Sequence, residues 1–414
     1  MAKTRKDNKG RVLRKGETQR KYDKMYMYTY TDPFTQERKH IYSKDLVKLR
    51  EKEQALQKDQ LDGLDVYAAG NSNLNFVFDR YISTKTDLRP TTYTNYTYMY
   101  NHFIRDTLGK RKIGDIKYSD VLHFYLYLLK EKGIQVNTLE TIHTVLHPTL
   151  QLAVRDEIIR NNPSDGVMAQ IKKSVGKHYG VRHALTVEQQ RAFVNYMANS
   201  PEFYHWLPLF TVLLGTGCRI GEVIGLRWQD ISYEKRMINI NHTVSYYPRA
   251  DHDNRCEFHV SLPKTEAGIR TVPMMQEVYD AFKQEEAYQK EIGLHNTSIV
   301  DGMSGFIFCN RFGYLYNPQT VNRAIRRISE RHNAEEVVKA AKEHREPIII
   351  PHFSCHHLRH TFCTRFCENE TNVKVIQAVM GHANIETTLD IYAEVTDAKK
   401  SEAIENLSRN LRIF

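Results

Sequence analysis

Between Pro351 and Val395 the chain reads PHFSCHHLRHTFCTRFCENETNVKVIQAVMGHANIETTLDIYAEV, and this stretch constrains the fold more than any other. In HHLRHTFCTRF, Leu358, Phe362 and Phe366 recur at i, i+4 and i+8, the spacing of one helical face. His356 and Arg359, three apart, share another. The pattern predicts a helix with one packed face and one face presenting hydrogen-bond donors. NVKVIQAVM reads as a second, short apolar helix, stopped by Gly381, with His382 the first residue beyond it. Glu386 to Tyr392 read as a third short helix carrying a tyrosine near its end.

Two donors on one helix, a histidine behind a glycine stop and a tyrosine ten residues later resemble the second half of the active site of tyrosine recombinases of the lambda-integrase type. The motifs stand here as HHLRH, MGH and IY. The first half, in that family an arginine at a Thr-Gly-x-Arg helix start, is matched by TGCRIGEVIGL at Thr216 to Leu226, which supplies Arg219. The halves come in the family's order. One departure is that Tyr392 lies one position further from His382 than in many members.

Composition points the same way. At 414 residues and 41% hydrophobic, the chain has length for two to four domains and apolar material for sizeable cores. No apolar run of about eighteen residues and no leader-like start is evident, so the expectation is a cytoplasmic, nucleoid-associated bacterial protein without a membrane partner. The six cysteines are scattered without paired spacing, as expected of reduced thiols. The net charge of +10 favours nucleic acid. Residues 1–50 hold fifteen Lys and Arg against six Asp and Glu, so nearly all the excess lies in an N-terminal module.

Residues 1–20 are polar and basic and read as a flexible arm or a solvated tail. Tyr26, Tyr28 and Tyr30 then alternate at period two, DPFTQE is turn chemistry, and Arg38 to Tyr42 returns as the second strand of a hairpin. Ser43 is read as the cap of a helix whose Leu46, Leu49 and Leu56 cover the sheet. Residues 1–66 thereby resemble the arm-type DNA-binding domain of integrases of integrative conjugative elements. In that family the sheet enters the major groove, which makes Tyr28 and Arg38 candidate contacts.

A polar stretch at Gly63 to Asn73 is the first linker. Residues 74–165 read as helices, over Leu74 to Ser83, Thr91 to Leu108, Ser119 to Lys132 and Thr138 to Ile159, and resemble the family's helical core-binding bundle. Tyr93, Tyr96, Tyr100 and Phe103 form a stripe that suits a core better than a base-stacking platform. Thr92 and Lys110 are candidate phosphate contacts, with solvated surface as the alternative. Residues 166–184 read as a basic linker without apolar periodicity, offering Lys172 and Lys173 to a phosphate backbone. Thr186, with Gln189 in capping-box position, opens a mainly α catalytic domain at 185–396 with strands at Met237 to Asn241, Phe258 to Leu262 and Ile269 to Pro273. Ser245 to Arg255 carries no pattern that assigns it. In the tail at 397–414, Ile404, Leu407 and Leu411 at i, i+3 and i+7 suit an amphipathic helix, docked on a neighbouring protomer or on its own domain. The expected fold class is multidomain α+β: a three-stranded sheet plus helix, a helical bundle, and a mainly α catalytic domain with a small antiparallel sheet.

The resemblance implies a site-specific recombinase that integrates and excises a mobile element. Arg219 and Arg359 would bind the non-bridging phosphate oxygens, two planar forks on one anion. His356 and His382 would add hydrogen bonds, Tyr392 would attack to leave a 3′-phosphotyrosyl link, and Lys264, in LPKTEAG, would protonate the leaving 5′-oxygen. Glu222 would position its neighbours. The implied partners are double-stranded DNA at core-type and arm-type sites, three further copies of the chain on two duplexes, an excisionase and a host DNA-bending protein. No cofactor is implied, and the sequence has no GxxxxGK(S/T) phosphate loop.

Other readings compete. His356, His357, His360, Cys363 and Cys367 could hold zinc, although Phe362 and Phe366 place the cysteines badly for convergence. The helices flanking Gly381 also suit a helix-turn-helix. A DNA-binding regulator without chemistry would need only part of the set, and a type IB topoisomerase would share it without strand exchange.

Overall fold

The computed structural model describes residues 5–31, 37–61, 72–175, 184–248, 255–263, 266–370, 372–391 and 393. The chain divides into two compact units, Met1–Tyr179 and Gly180–Phe414. Among the described residues no helix is long and apolar enough to cross a membrane.

In the first unit, β1 (Glu17–Gln19), β2 (Tyr26–Thr31) and β3 (Arg38–Ser43) form an antiparallel sheet in that order. Helix α1 (Leu46–Leu61) covers it through Leu46 and Leu49, which pack with Tyr26. The flexible-arm reading of residues 1–20 gives way over 5–20, where ion pairs replace apolar burial. Asp7, 8% exposed, accepts from the Arg11 guanidinium and the Tyr26 hydroxyl. Glu17, fully buried, accepts from both Nε and Nη2 of Arg50. The cap of α1 is also reassigned: Asp45, not Ser43, accepts from the backbone N–H groups of Val47 and Lys48.

The same unit holds a helical bundle. Helix α2 (Leu74–Ser83) is capped by Asn73, and α3 (Pro90–Met99) runs into a π-turn at Tyr100–Ile104. Then come α4 (Tyr118–Lys130), α5 (Val136–Arg155) and α6 (Val167–Val175). The helix expected over Thr91 to Leu108 therefore runs on to Ile104, widening to π geometry in its last turn, and stops short of Leu108. The π-turn carries Tyr100 into the core, stacked on Phe78 with centroids 3.6 Å apart, while Tyr93 stays 38% exposed. The linker reading of 166–184 is corrected over α6, because Val167, Met168 and Ile171 complete the bundle core beside Leu139, Leu146 and Leu150. Lys172 and Lys173 lie on this helix, and Lys172 pairs with Glu140 at 2.6 Å.

The second unit opens with α7 (Val187–Ala198), whose capping box joins Thr186 and Gln189 as expected. Helix α8 (Leu207–Thr216) and the short α9 (Ile220–Ile224) follow. Strands β4 (Ile231–Ser232), β5 (Met237–Ile240) and β8 (Arg270–Pro273) form one antiparallel sheet. The expected strand at Phe258 to Leu262 belongs elsewhere: β6 (Thr243–Pro248) pairs with β7 (Cys256–Ser261) as a separate ribbon. The unassigned segment thus contributes the end of β6. The break between β5 and β6 falls at Asn241 and His242, where the buried imidazole bonds to Gly225 O at 2.6 Å. Helices α10 (Gln276–Glu291), α11 (Pro318–Glu343), α12 (Cys355–Asn369) and α13 (Val373–Met380) complete the unit, with further helix at 386–391. Its main core joins Phe193, Phe210, Phe282, Ile325 and Leu358.

Candidate active site

Two helix C-termini face one another in the second unit. Helix α8 ends at Gly217, with φ +62°, and α13 ends at Gly381, with φ +63°. Both positions demand glycine twice over. A Cβ at Gly217 would stand 2.3 Å from the Phe362 ring, and one at Gly381 would stand 2.9 Å from Arg270 Nη1. The last carbonyls of a helix lack intrahelical partners and carry the negative end of its dipole, so such ends attract cations.

Three arginines fill this role at α13. Arg270 Nε donates to Val379 O at 2.8 Å, Arg359 Nη2 to Met380 O at 2.6 Å, and Arg219 Nη2 to Gly381 O at 3.4 Å. Arg359 also donates through Nη1 to Gly217 O at 2.8 Å, which ties the two helix ends together. This corrects the expected donor face of α12: Arg359 is only 4% exposed, and of the pair only His356 lies on an exposed position. Leu358 is buried as predicted, but Phe362 and Phe366 are only half-buried, packing with Cys363, Cys367, Ile376 and Met380.

Arg219 is the N-cap residue of α9 and Glu222 its third residue, and the Glu222 carboxylate reaches back to cap the Arg219 backbone N–H. Glu222 accepts from Arg219 N and Nη1, both at 2.9 Å, and from Arg270 Nη2 at 2.9 Å. Burial pushes this carboxyl up, but the Arg270 fork and Arg219 outweigh it and hold it below the usual carboxylate range. Burial, then the neighbouring charge of Arg219, lowers Arg359 to about 10, still protonated at neutral pH.

His382 is 7% exposed, and its Nδ1 lies 2.9 Å from Oγ1 of the fully buried Thr388. Burial, then Arg359 and Arg219, depresses its pKa to about 4, so the imidazole is neutral at pH 7. Its carbonyl accepts from Gln377 Nε2 at 3.0 Å. The site thus combines three guanidinium groups, a buried carboxylate and a neutral histidine, a set suited to holding an anion and exchanging a proton beside it. Lys264 and Tyr392 lie outside the described residues. Strands β7 and β8, on either side of Lys264 in sequence, belong to different sheets.

Arg270 and Thr388 are absent from the sequence reading. Arg270 did leave a trace: β8 alternates buried and exposed, and Arg270 falls on the buried side with Val272, where an arginine requires a partner. Among the described residues no group of three or more His, Cys, Asp or Glu could hold a metal ion, and the six cysteines are free.

The candidate DNA contacts lie in the first unit. Arg38 pairs with Thr31 and Tyr28 with Ile41, so strand alternation sends them to opposite faces. Tyr28 packs on the helix-covered side with Tyr26 and Leu46, whereas Arg38 shares the other face with His40 and Tyr42. The two therefore do not form one reading surface. Thr92 is half-buried, and Lys110 is exposed beside Asp106 at 2.8 Å.

Comparison with known proteins places this geometry in a family. Residues 183–399 match the phage integrase family, residues 1–60 the DNA binding domain of tn916 integrase, and residues 73–129 the N-terminal SAM-like domain of phage integrases. The chain is 32% identical over 409 residues to the transposase from transposon Tn916 of Enterococcus faecalis, covering 96% of this chain and 95% of that protein. It is equally similar to the transposase from transposon Tn1545 of Streptococcus pneumoniae. Among solved structures, the Tn1549 transposon integrase in complex with transposon right end DNA superposes with a TM-score of 0.68 at 27% identity, covering 81% of this chain and 99% of that one. The chain belongs to the phage integrase family, as a tyrosine recombinase of the conjugative-transposon type. Its activity is that of a site-specific integrase.

Proposed function

We propose that this integrase cuts and rejoins DNA through a covalent link between Tyr392 and the 3′-phosphate, with Arg219, Lys264, His356, Arg359 and His382 as its catalytic residues. The observation that carries the reading is the convergence of Arg219 and Arg359 on the turn Met380–Gly381 immediately before His382. In this reading the Tyr392 phenol loses its proton, its oxygen attacks phosphorus, and the bond to the 5′-oxygen breaks as Lys264 supplies a proton to it. Charge on the pentacoordinate phosphate is met by N–H groups that Arg219 and Arg359 do not spend on carbonyls, since each guanidinium carries five. A neutral His382, oriented by Thr388, can accept the phenolic proton or donate to a phosphate oxygen. Glu222 holds Arg219 rather than reacting.

The link conserves bond energy, so the reverse attack by a 5′-hydroxyl of the partner duplex reseals the strand without a nucleotide. Four copies on two duplexes would make the exchange reciprocal, with an excisionase and a host DNA-bending protein setting direction. Residues 1–66 would bind arm-type sites through the Arg38, His40 and Tyr42 face, and 74–165, with Lys110, Lys172 and Lys173, core-type sites. Residues 185–396 would form the catalytic domain and 397–414 a tail helix that docks within the assembly. The test is strand exchange between two differently labelled duplexes carrying element ends. Recombinant joints support the reading, and relaxation of supercoils without joints contradicts it.

A further inference from the structure

The buried guanidinium of Arg270 is absent from the scheme above, yet it donates to Glu222, Val379 and Gly268. Its Nη2 and Nη1 donate to the two Glu222 oxygens at 2.9 and 3.3 Å, its Nε to Val379 O at 2.8 Å, and its Nη1 also to Gly268 O at 3.3 Å. Neutralising Glu222 would need only the first two. The other two acceptors stand at informative places. Val379 is three residues before His382. Gly268 closes the segment that follows Lys264: a Cβ on it would lie 2.4 Å from Pro263 Cβ, so the residues bracketing that segment meet. A Cβ at Gly381 would in turn stand 3.0 Å from Ala267 O, so the same segment abuts the turn before His382.

We propose that Arg270 is a positioning residue for strand cleavage, which registers the base of the Lys264 segment and the His382 turn against Glu222 and hence against Arg219. This rests on the acid role proposed above for Lys264. The forked geometry is essential, because a lysine ammonium at the same place is a point charge that cannot reach a carboxylate and two carbonyls on different segments at once. The side chain touches neither of the reacting oxygens in this scheme; it acts by fixing the residues that do.

The test compares single-turnover cleavage of a suicide duplex carrying element ends, once with the ordinary 5′-oxygen leaving group and once with a bridging 5′-sulfur. A thiolate departs without being protonated, so the sulfur substrate bypasses the acid and leaves the task of Arg219 and Arg359 unchanged. The ratio of sulfur to oxygen rate within one variant cancels the folded fraction, so a merely structural loss leaves it unmoved. Arg270→Lys is expected to raise this ratio on the order of tenfold over wild type, in the direction of Lys264→Ala, since a general acid contributes about 10²–10⁴-fold. Arg270→Gln is the second variant and should move the same way. A wild-type ratio in both Arg270 variants, with the ratio raised in Lys264→Ala, overturns the proposal. A wild-type ratio in Lys264→Ala overturns instead the acid assignment beneath it.

Discussion

Thr388 holds the His382 ring: Oγ1 lies 2.9 Å from Nδ1, with Thr388 fully buried and His382 7% exposed. Thr388 belongs to the helical segment 386–391, so the bond couples that segment to the turn after α13. Outer hydrogen bonds that orient a functional imidazole are commonly worth about 10–100-fold. Thr388→Val, which keeps the shape and removes the hydroxyl, should lower the cleavage rate on the order of tenfold while DNA binding holds, and Thr388→Ser should restore most of it. Equal rates for wild type and Thr388→Val would show that the bond does not orient His382 for the reaction.

Glu222 and Arg270 form a buried ion pair with side chains only 4% and 6% exposed. Removing one member leaves a charge without its counter-ion, which costs about 3–5 kcal/mol in such settings. Glu222→Ala should therefore shift the urea midpoint well below that of wild type, and Glu222→Ala combined with Arg270→Met should recover part of the loss. A midpoint unchanged by Glu222→Ala would mean that Arg270 finds compensation elsewhere.

His382 also gives stability a pH dependence of defined sign. Its folded pKa, about 4, lies below the unfolded value of about 6.5. Between those values the unfolded chain binds the extra proton, so the contribution of His382 is fully present above pH 6.5 and is lost as pH falls toward 4. The shift sets an upper bound of about 3 kcal/mol. His143, whose pKa burial also depresses to about 4, titrates in the same range, so the difference between wild type and His382→Asn isolates the site. The stability of His382→Asn should therefore fall less steeply than that of wild type between pH 6.5 and 4. Parallel curves would contradict the buried, neutral imidazole.

Much of this was legible in the sequence because it is local. The Gly381 stop, the Thr186 and Gln189 box and the run of helices at 74–155 follow from spacings within one or two turns. What escaped depends on distant partners. Arg270 meets Val379 109 positions away, and no pattern around either predicts the bond. Residues 5–20 look unstructured because they are poor in apolar side chains, yet Asp7 and Glu17 order them by ion pairing, with Glu17 reaching Arg50 33 positions on. Helix α6 was hidden by its lysines, since Val167, Met168 and Ile171 make too short an apolar stripe to stand out. Ser43, read as the cap of α1, stands two residues before Asp45, whose carboxylate accepts from the first turn, a shift that only the backbone geometry reveals.

The measurement that bears most directly on the central claim is an SDS-resistant adduct assay on nicked duplex carrying element ends, run in EDTA with wild type beside Tyr392→Phe. The account predicts a covalent protein–DNA species from wild type, joined at the 3′-phosphate with a free 5′-hydroxyl, and none from Tyr392→Phe although it binds the DNA as tightly. An adduct of equal yield from Tyr392→Phe, or one that disappears in EDTA, would contradict it.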